Sequence, residues 1–179
     1  LSCNRNKESI ALDLKDERDR ATLLAMISRA DVLVENFRPG TMERLGLGPD
    51  MLLALNPRLV ILAISGFGHD GPEGSRAGYD QIAQGESGLM SLTGADSAHP
   101  QRVGVPIGDL LAGITGVIGV LAALVERDTT GRGQVVRTSL LASLVGVHAF
   151  EGTRWTVAGQ SGTATGNHHP SIAPYGLFT

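Results

Sequence analysis

A chain of 179 residues that is 42% hydrophobic, with 24 glycines and a net charge of −3, has the balance of a globular α/β enzyme and excludes a disordered tail or a basic nucleic-acid binder. Its single cysteine, Cys3, excludes an internal disulfide and points to a reducing, cytoplasmic setting. No secretory pattern opens the chain. It starts on Leu1 and stops within an apolar stretch at Phe178 and Thr179, so it reads as an internal piece of a longer polypeptide.

In chain order, residues 9–14 (SIALDL) are predicted as a strand. Residues 17–29 form a helix with Leu23, Leu24 and Ile27 on one face. Residues 31–35 (DVLVE) form a short strand. Residues 41–55 read as one helix with Thr41 as its N-cap. Residues 59–65 (LVILAIS) are so apolar that both faces of the strand must be covered. A glycine-rich loop over 66–78 leads into a helix over 79–91, and a second, strongly apolar helix spans 110–127. The apolar run within it is shorter than the roughly 20 residues that cross a bilayer, and Glu126 and Arg127 end it. It therefore reads as a buried helix, with no membrane partner. Residues 131–133 turn into a strand over 134–138, followed by a helix over 139–157. Strands and helices alternating in this way define an α/β fold with a parallel sheet and flanking helices.

Parallel sheets bind ligands beyond the carboxyl ends of their strands. The residues found there are Lys15, then Asn36, Phe37 and Arg38 with Arg44 a helical turn on, and Arg76, Ala77, Gly78 and Tyr79 at the end of the glycine loop. Guanidinium groups pair bidentately with phosphate oxygens, so these cations suit a polyphosphate ligand; the alternative is ordinary surface charge. Asp109 stands among Gly108, Ala112 and Gly113 at the start of the apolar helix. A carboxylate there is a candidate nucleophile, or simply an N-cap. Gly66-Phe67-Gly68 followed by Gly71 is not a dinucleotide fingerprint. His168 and His169 are adjacent rather than spaced as metal ligands are, and no metal site is expected.

Several ordered motifs sharpen the reading. They are residues 4–15 (NRNKESIALDLK), 30–40 (ADVLVENFRPG), 55–59 (LNPRL), Gly78-Tyr79-Asp80, Thr93-Gly94, Gly108-Asp109, 130–134 (TGRGQ), Gly166-Asn167, His169-Pro170 and 173–176 (APYG). In this order and spacing the chain resembles the class III CoA-transferases of the CaiB/BaiF type over nearly its whole length. The resemblance implies a Rossmann-like large domain, occupying 1–157 here, with 158–179 leading toward a smaller domain. It implies an interlocked homodimer for the full-length protein and no tightly bound cofactor. It also implies that coenzyme A passes from an acyl-CoA donor to a carboxylic acid acceptor, with Asp109 as nucleophile through an aspartyl anhydride and an aspartyl-CoA thioester. Coenzyme A contacts carry over to Leu12, Asp13, Leu14 and Lys15, to Asn36, Phe37 and Arg38, to Arg44, and to Arg76, Ala77, Gly78 and Tyr79. A related α-methylacyl-CoA racemase chemistry would place a histidine where Tyr79 stands, and a phenol is too weak an acid to exchange protons at neutral pH. A non-catalytic CoA-binding relative is the remaining alternative. The acceptor acid is left open.

Overall fold

The computed structural model describes residues 2–178. Three strands, β1 (Val32–Glu35), β2 (Val60–Ser65) and β3 (Val135–Ser139), form one parallel sheet in the order β1-β2-β3. Val34 lies opposite Leu62, and Leu62 opposite Val136. The central strand explains the apolar run seen in sequence. On one face, Ile61 packs with Ile27, Met42, Leu47, Leu52 and Leu59. On the other, Val60 and Leu62 pack with Val120 and Ala123. Alternate side chains therefore feed two separate cores, and a single polar residue inside the strand would open one of them.

Helix α1 (Glu17–Ile27) begins where Asp16 accepts hydrogen bonds from the N–H groups of Arg18 and Asp19 at 2.9 and 3.1 Å. The strand expected over 9–14 does not form. The Asp13 N–H turns to a local carboxylate instead, donating to Asp19 Oδ2 at 2.7 Å, and just beyond the stretch the Lys15 N–H donates to Asp13 Oδ1 at 3.0 Å. This Asx-type bonding competes with a ladder and wins where no neighbouring strand offers one. Leu14 alone turns inward, against the first core.

The helix expected over 41–55 is two helices, α2 (Thr41–Arg44) and α3 (Pro49–Leu55). Gly46 takes a φ of 71° and Pro49 starts the second, so the chain cannot continue straight. Thr41 lies inside α2 rather than capping it; Gly40, at φ 81°, occupies the cap. The stretch over 79–91 likewise divides at Gly88 into α4 (Asp80–Glu86) and α5 (Leu89–Leu92). The helix expected over 139–157 divides into α7 (Leu140–Gly146) and α8 (Ala149–Ala158), with Ala149 at φ 48°.

Helix α6 (Ile107–Thr130) is 24 residues, longer than its apolar run suggested, and by length and composition it could cross a bilayer. One side of it rests on β2, β3 and α7. Gly116 and Gly119 let it settle close: a Cβ there would lie 2.9 Å from Leu62 Cδ2 and 2.6 Å from Val136 Cγ1. The expectation of a buried helix holds for this face only. Leu110, Ile114, Val117, Ile118, Leu121 and Val125 form an opposite face that is exposed. An uncovered apolar stripe of that length favours association. The isolated 179-residue chain is accordingly expected to be poorly folded and inactive, and a sharp, cooperative unfolding transition from a monomeric preparation would contradict this.

At its far end α6 is anchored by the buried Arg127, which donates to Arg58 O at 3.0 Å and pairs with Asp31 at 2.9 Å. Its guanidinium thus ties α6 to the starts of β1 and β2. Arg127→Ala leaves the Arg58 carbonyl and the Asp31 carboxylate without their donor and removes packing. In the full-length protein we expect a loss of about 2–4 kcal/mol, read as a lower urea midpoint at unchanged slope.

Candidate active site

Beyond the carboxyl edge of the sheet lies a cavity of about 430 Å³. Asn36, Phe37, Arg38 and Pro39 enter it from the turn after β1, Ile64, Ser65 and Gly66 from the end of β2, and Leu140 from the start of α7, just after β3. The end of the glycine loop adds Arg76, Ala77, Gly78 and Tyr79, and the first turn of α6 adds Asp109. Eight of the residues singled out in sequence thus meet around one space. Leu12, Asp13, Leu14, Lys15 and Arg44 lie outside its lining. Arg44 instead donates to Thr41 Oγ1 at 2.7 Å.

The walls are fixed by local chemistry. After β1, Glu35 Oε2 accepts the Phe37 N–H at 2.8 Å, and Gly40 reverses the chain toward α2. Burial raises the pKa of Glu35, an effect opposed by that backbone bond and by His69. After β2, Ser65 Oγ accepts the Gly68 N–H at 3.0 Å. The glycine loop then returns so closely that the backbones of Gly66 and Gly78 touch, with no room for a Cβ on either.

The cations differ in what they already hold. Arg76 pairs with Glu86 at 2.6 Å and with Glu73 at 3.1 Å, and its guanidinium stacks over Phe67 at 4.3 Å. Those carboxylates raise the pKa of Arg76, and Arg76 lowers that of Glu86. The expected phosphate ligand is therefore also the clasp of the loop. Arg38, by contrast, makes no ion pair among the described residues.

Asp109 is the third residue of α6 and does not cap it. The cap is supplied by Asp80, whose Oδ1 accepts the Gly108 N–H at 2.7 Å and lies 3.4 Å from the Asp109 N–H. This leaves the Asp109 side chain to the cavity, exposed enough for a bulky reactant to reach. Partial burial, and secondarily the charge of Asp80, raise its pKa above the usual aspartate range. A carboxyl with a pKa raised on folding favours the fold while protonated and opposes it once ionised. At neutral pH Asp109 therefore disfavours folding, and Asp109→Asn in the full-length protein should raise the thermal midpoint by about 1–3 °C. That gain should vanish below the ordinary aspartate range, and a midpoint equally raised in acid would contradict it.

In sequence Asp80 stands out only within the Gly78-Tyr79-Asp80 motif, and nothing local signals its capping role or the buried Gln84 bonded to it. The cap joins residues 28 apart, beyond any local pattern. Ile64, Ser65, Gly66 and Leu140 follow directly from the strand-end rule once the strands are known. Among the described residues, no three His, Cys, Asp or Glu side chains converge as a metal site.

Fold and site define an α/β protein with an exposed carboxylate, Asp109, facing a cavity at the carboxyl edge of a parallel sheet. The sequence model of CoA-transferase family III matches residues 1–179, and the chain belongs to that family. It is 42% identical over 176 residues to an acetyl-CoA:oxalate CoA-transferase of Acetobacter aceti, covering 98% of this chain and 45% of that protein. It is 40% identical over 181 residues to a succinyl-CoA:mesaconate CoA-transferase of Haloarcula hispanica, covering 99% and 46%. A crystal structure of a CaiB/BaiF family protein from Brucella suis superposes with a TM-score of 0.93 at 40% identity, covering 99% of this chain and 47% of that one. The chain thus spans under half the length of these relatives.

Proposed function

We propose that the protein containing this chain transfers coenzyme A from an acyl-CoA to a carboxylic acid, with Asp109 as the covalent nucleophile. The observation that carries this reading is the Asp109 carboxylate itself, relieved of capping by Asp80 and open to the cavity at the sheet edge. An Asp109 oxygen attacks the thioester carbonyl, the C–S bond breaks, and coenzyme A leaves as a thiolate. The thiolate attacks the Asp109 acyl carbon of the mixed anhydride and expels the donor carboxylate, leaving an aspartyl-CoA thioester. The acceptor carboxylate displaces the thiolate to form a second anhydride. The thiolate then attacks the acceptor carbonyl, releasing the new acyl-CoA and the free carboxylate of Asp109. Each step exchanges one leaving group for one nucleophile with no net proton, so covalent catalysis replaces one hard exchange by easier ones.

Arg38, unpaired at the cavity wall, is suited to a phosphate of coenzyme A, and Lys15 and Arg44 to more distant groups of that long ligand. Phe37, Ala77, Gly78 and Tyr79 offer the apolar and backbone surface for its arm. The acids named for the two relatives above, oxalate and mesaconate, are both dicarboxylic, and a short dicarboxylate is the acceptor we infer here. The apolar outer face of α6 fits association of the full-length protein as a homodimer, and the lone cysteine fits a cytoplasmic setting.

Incubating the full-length protein with acetyl-CoA or succinyl-CoA and a panel of oxalate, mesaconate and glutarate should yield the CoA ester of one acceptor. Deuterium entering the acyl α-carbon in heavy water, without transfer, would instead favour the racemase. Tyr79 at the cavity wall argues against that outcome.

A further inference from the structure

Behind Asp109 lies a buried polar relay that the transfer chemistry alone does not require. Gln84, fully buried on α4, accepts the Val103 N–H through Oε1 at 2.8 Å. Its Nε2 donates to Asp80 Oδ2 at 2.8 Å. Asp80 Oδ1 in turn receives the Gly108 N–H and faces that of Asp109. One side chain therefore fixes the segment before α6, and the next fixes the first turn of α6 itself.

We propose that Asp80, locked by Gln84, is a positioning residue for Asp109: it holds the first turn of α6 and sets a second negative charge against the nucleophile, a repulsion that acylation relieves. The proposal rests on Asp109 being the nucleophile. A neutral side chain would cap Gly108 equally well, so the conformation of α6 does not by itself call for a charge there. The Asp80 charge disfavours the ionised form of Asp109. When an Asp109 oxygen bonds to the thioester carbonyl and the C–S bond breaks, the negative charge leaves on sulfur and the anhydride beside Asp80 is neutral. The charged ground state is thereby raised relative to the acylated one.

The surroundings isolate this effect. Strand β2 and helix α7 carry no titratable side chain. On β3, Arg137 is engaged by Asp70 at 2.9 Å, and on α4, Glu86 is engaged by Arg76. Arg38, Arg76 and Tyr79 share the cavity with Asp109. Of these groups only the Asp80 charge, added to partial burial, moves the Asp109 titration, and it moves it upward.

The test is Asp80→Asn in the full-length protein, assayed with the acyl-CoA and dicarboxylate that turn over fastest in the panel above. Asn keeps an oxygen for the Gly108 N–H and removes the charge. The acid limb of the kcat/KM profile should move to lower pH, and its plateau should fall about tenfold, with KM for the acyl-CoA unchanged. Asp80→Glu, which restores a charge, should return the limb toward its original position. Should the Asn amide disturb Gln84 enough to prevent folding, Asp80→Ser caps the helix without that conflict and carries the same expectation. A neutral variant with unchanged limb and plateau would overturn the proposal. Retained turnover in Asp109→Ala would overturn instead the nucleophile reading beneath it, so the two failures are separate.

Discussion

Asp109→Ala is expected to abolish CoA transfer in the full-length protein, by about 10⁴-fold or more, because removal of a covalent nucleophile eliminates the pathway and not one contribution to it. Acyl-CoA affinity should stay within a few-fold, since the cations and the apolar wall of the cavity are untouched. Asp109→Glu keeps the charge but displaces the reacting oxygen by roughly a bond length, and a misplacement of about 1 Å costs on the order of 10²-fold. The order Asp, then Glu, then Ala in kcat, at nearly constant affinity, is the signature to look for. A parallel loss of affinity in all variants would point to a binding role for the carboxylate.

The second large effect lies at the neck of the glycine loop. Gly66 and Gly78 meet backbone to backbone, and a methyl group on either would overlap the backbone of the other. The obstruction is main chain on both sides, so no side-chain rotation relieves it. Gly78→Ala must move the loop end that carries Tyr79 and Asp80, and with Asp80 the cap of α6. Overpacking of this kind costs about 1–3 kcal/mol, and more where backbone has to shift. We expect a clear fall in thermal midpoint together with a loss of transfer of about 10²-fold. Gly71→Ala in the same loop, where nothing approaches within 4 Å, should change neither. Equal behaviour of the two substitutions would show that the neck does not position the site.

The parts of this architecture legible in sequence are those where one short pattern determines the outcome. The apolar run of β2 announced a strand covered on both faces, and the run in α6 announced the helix that covers it. The failures share a cause, which is competition from a side chain or a turn residue. Residues 9–14 alternate like a strand, but Asp19 takes the Asp13 amide and Asp13 that of Lys15 just beyond. Residues 41–55 are helical in composition, but Gly46 and Pro49 bend the chain twice. In the site, Asn36 to Arg38 and Arg76 to Tyr79 followed from their places after strands. Asp80 did not, because its value depends on meeting Gly108 across 28 residues. The clasp formed by Arg76 was hidden for the same reason: Glu86 lies ten residues away on another element.

The most direct test of the account is a trap for the covalent intermediate. The full-length protein, incubated with its acyl-CoA and quenched with hydroxylamine, should carry a hydroxamate on the peptide containing Asp109 when examined by mass spectrometry. The adduct should require acyl-CoA and disappear in Asp109→Ala. A protein that turns over its substrates yet yields an unmodified Asp109, or a hydroxamate on another carboxylate, would contradict the central claim.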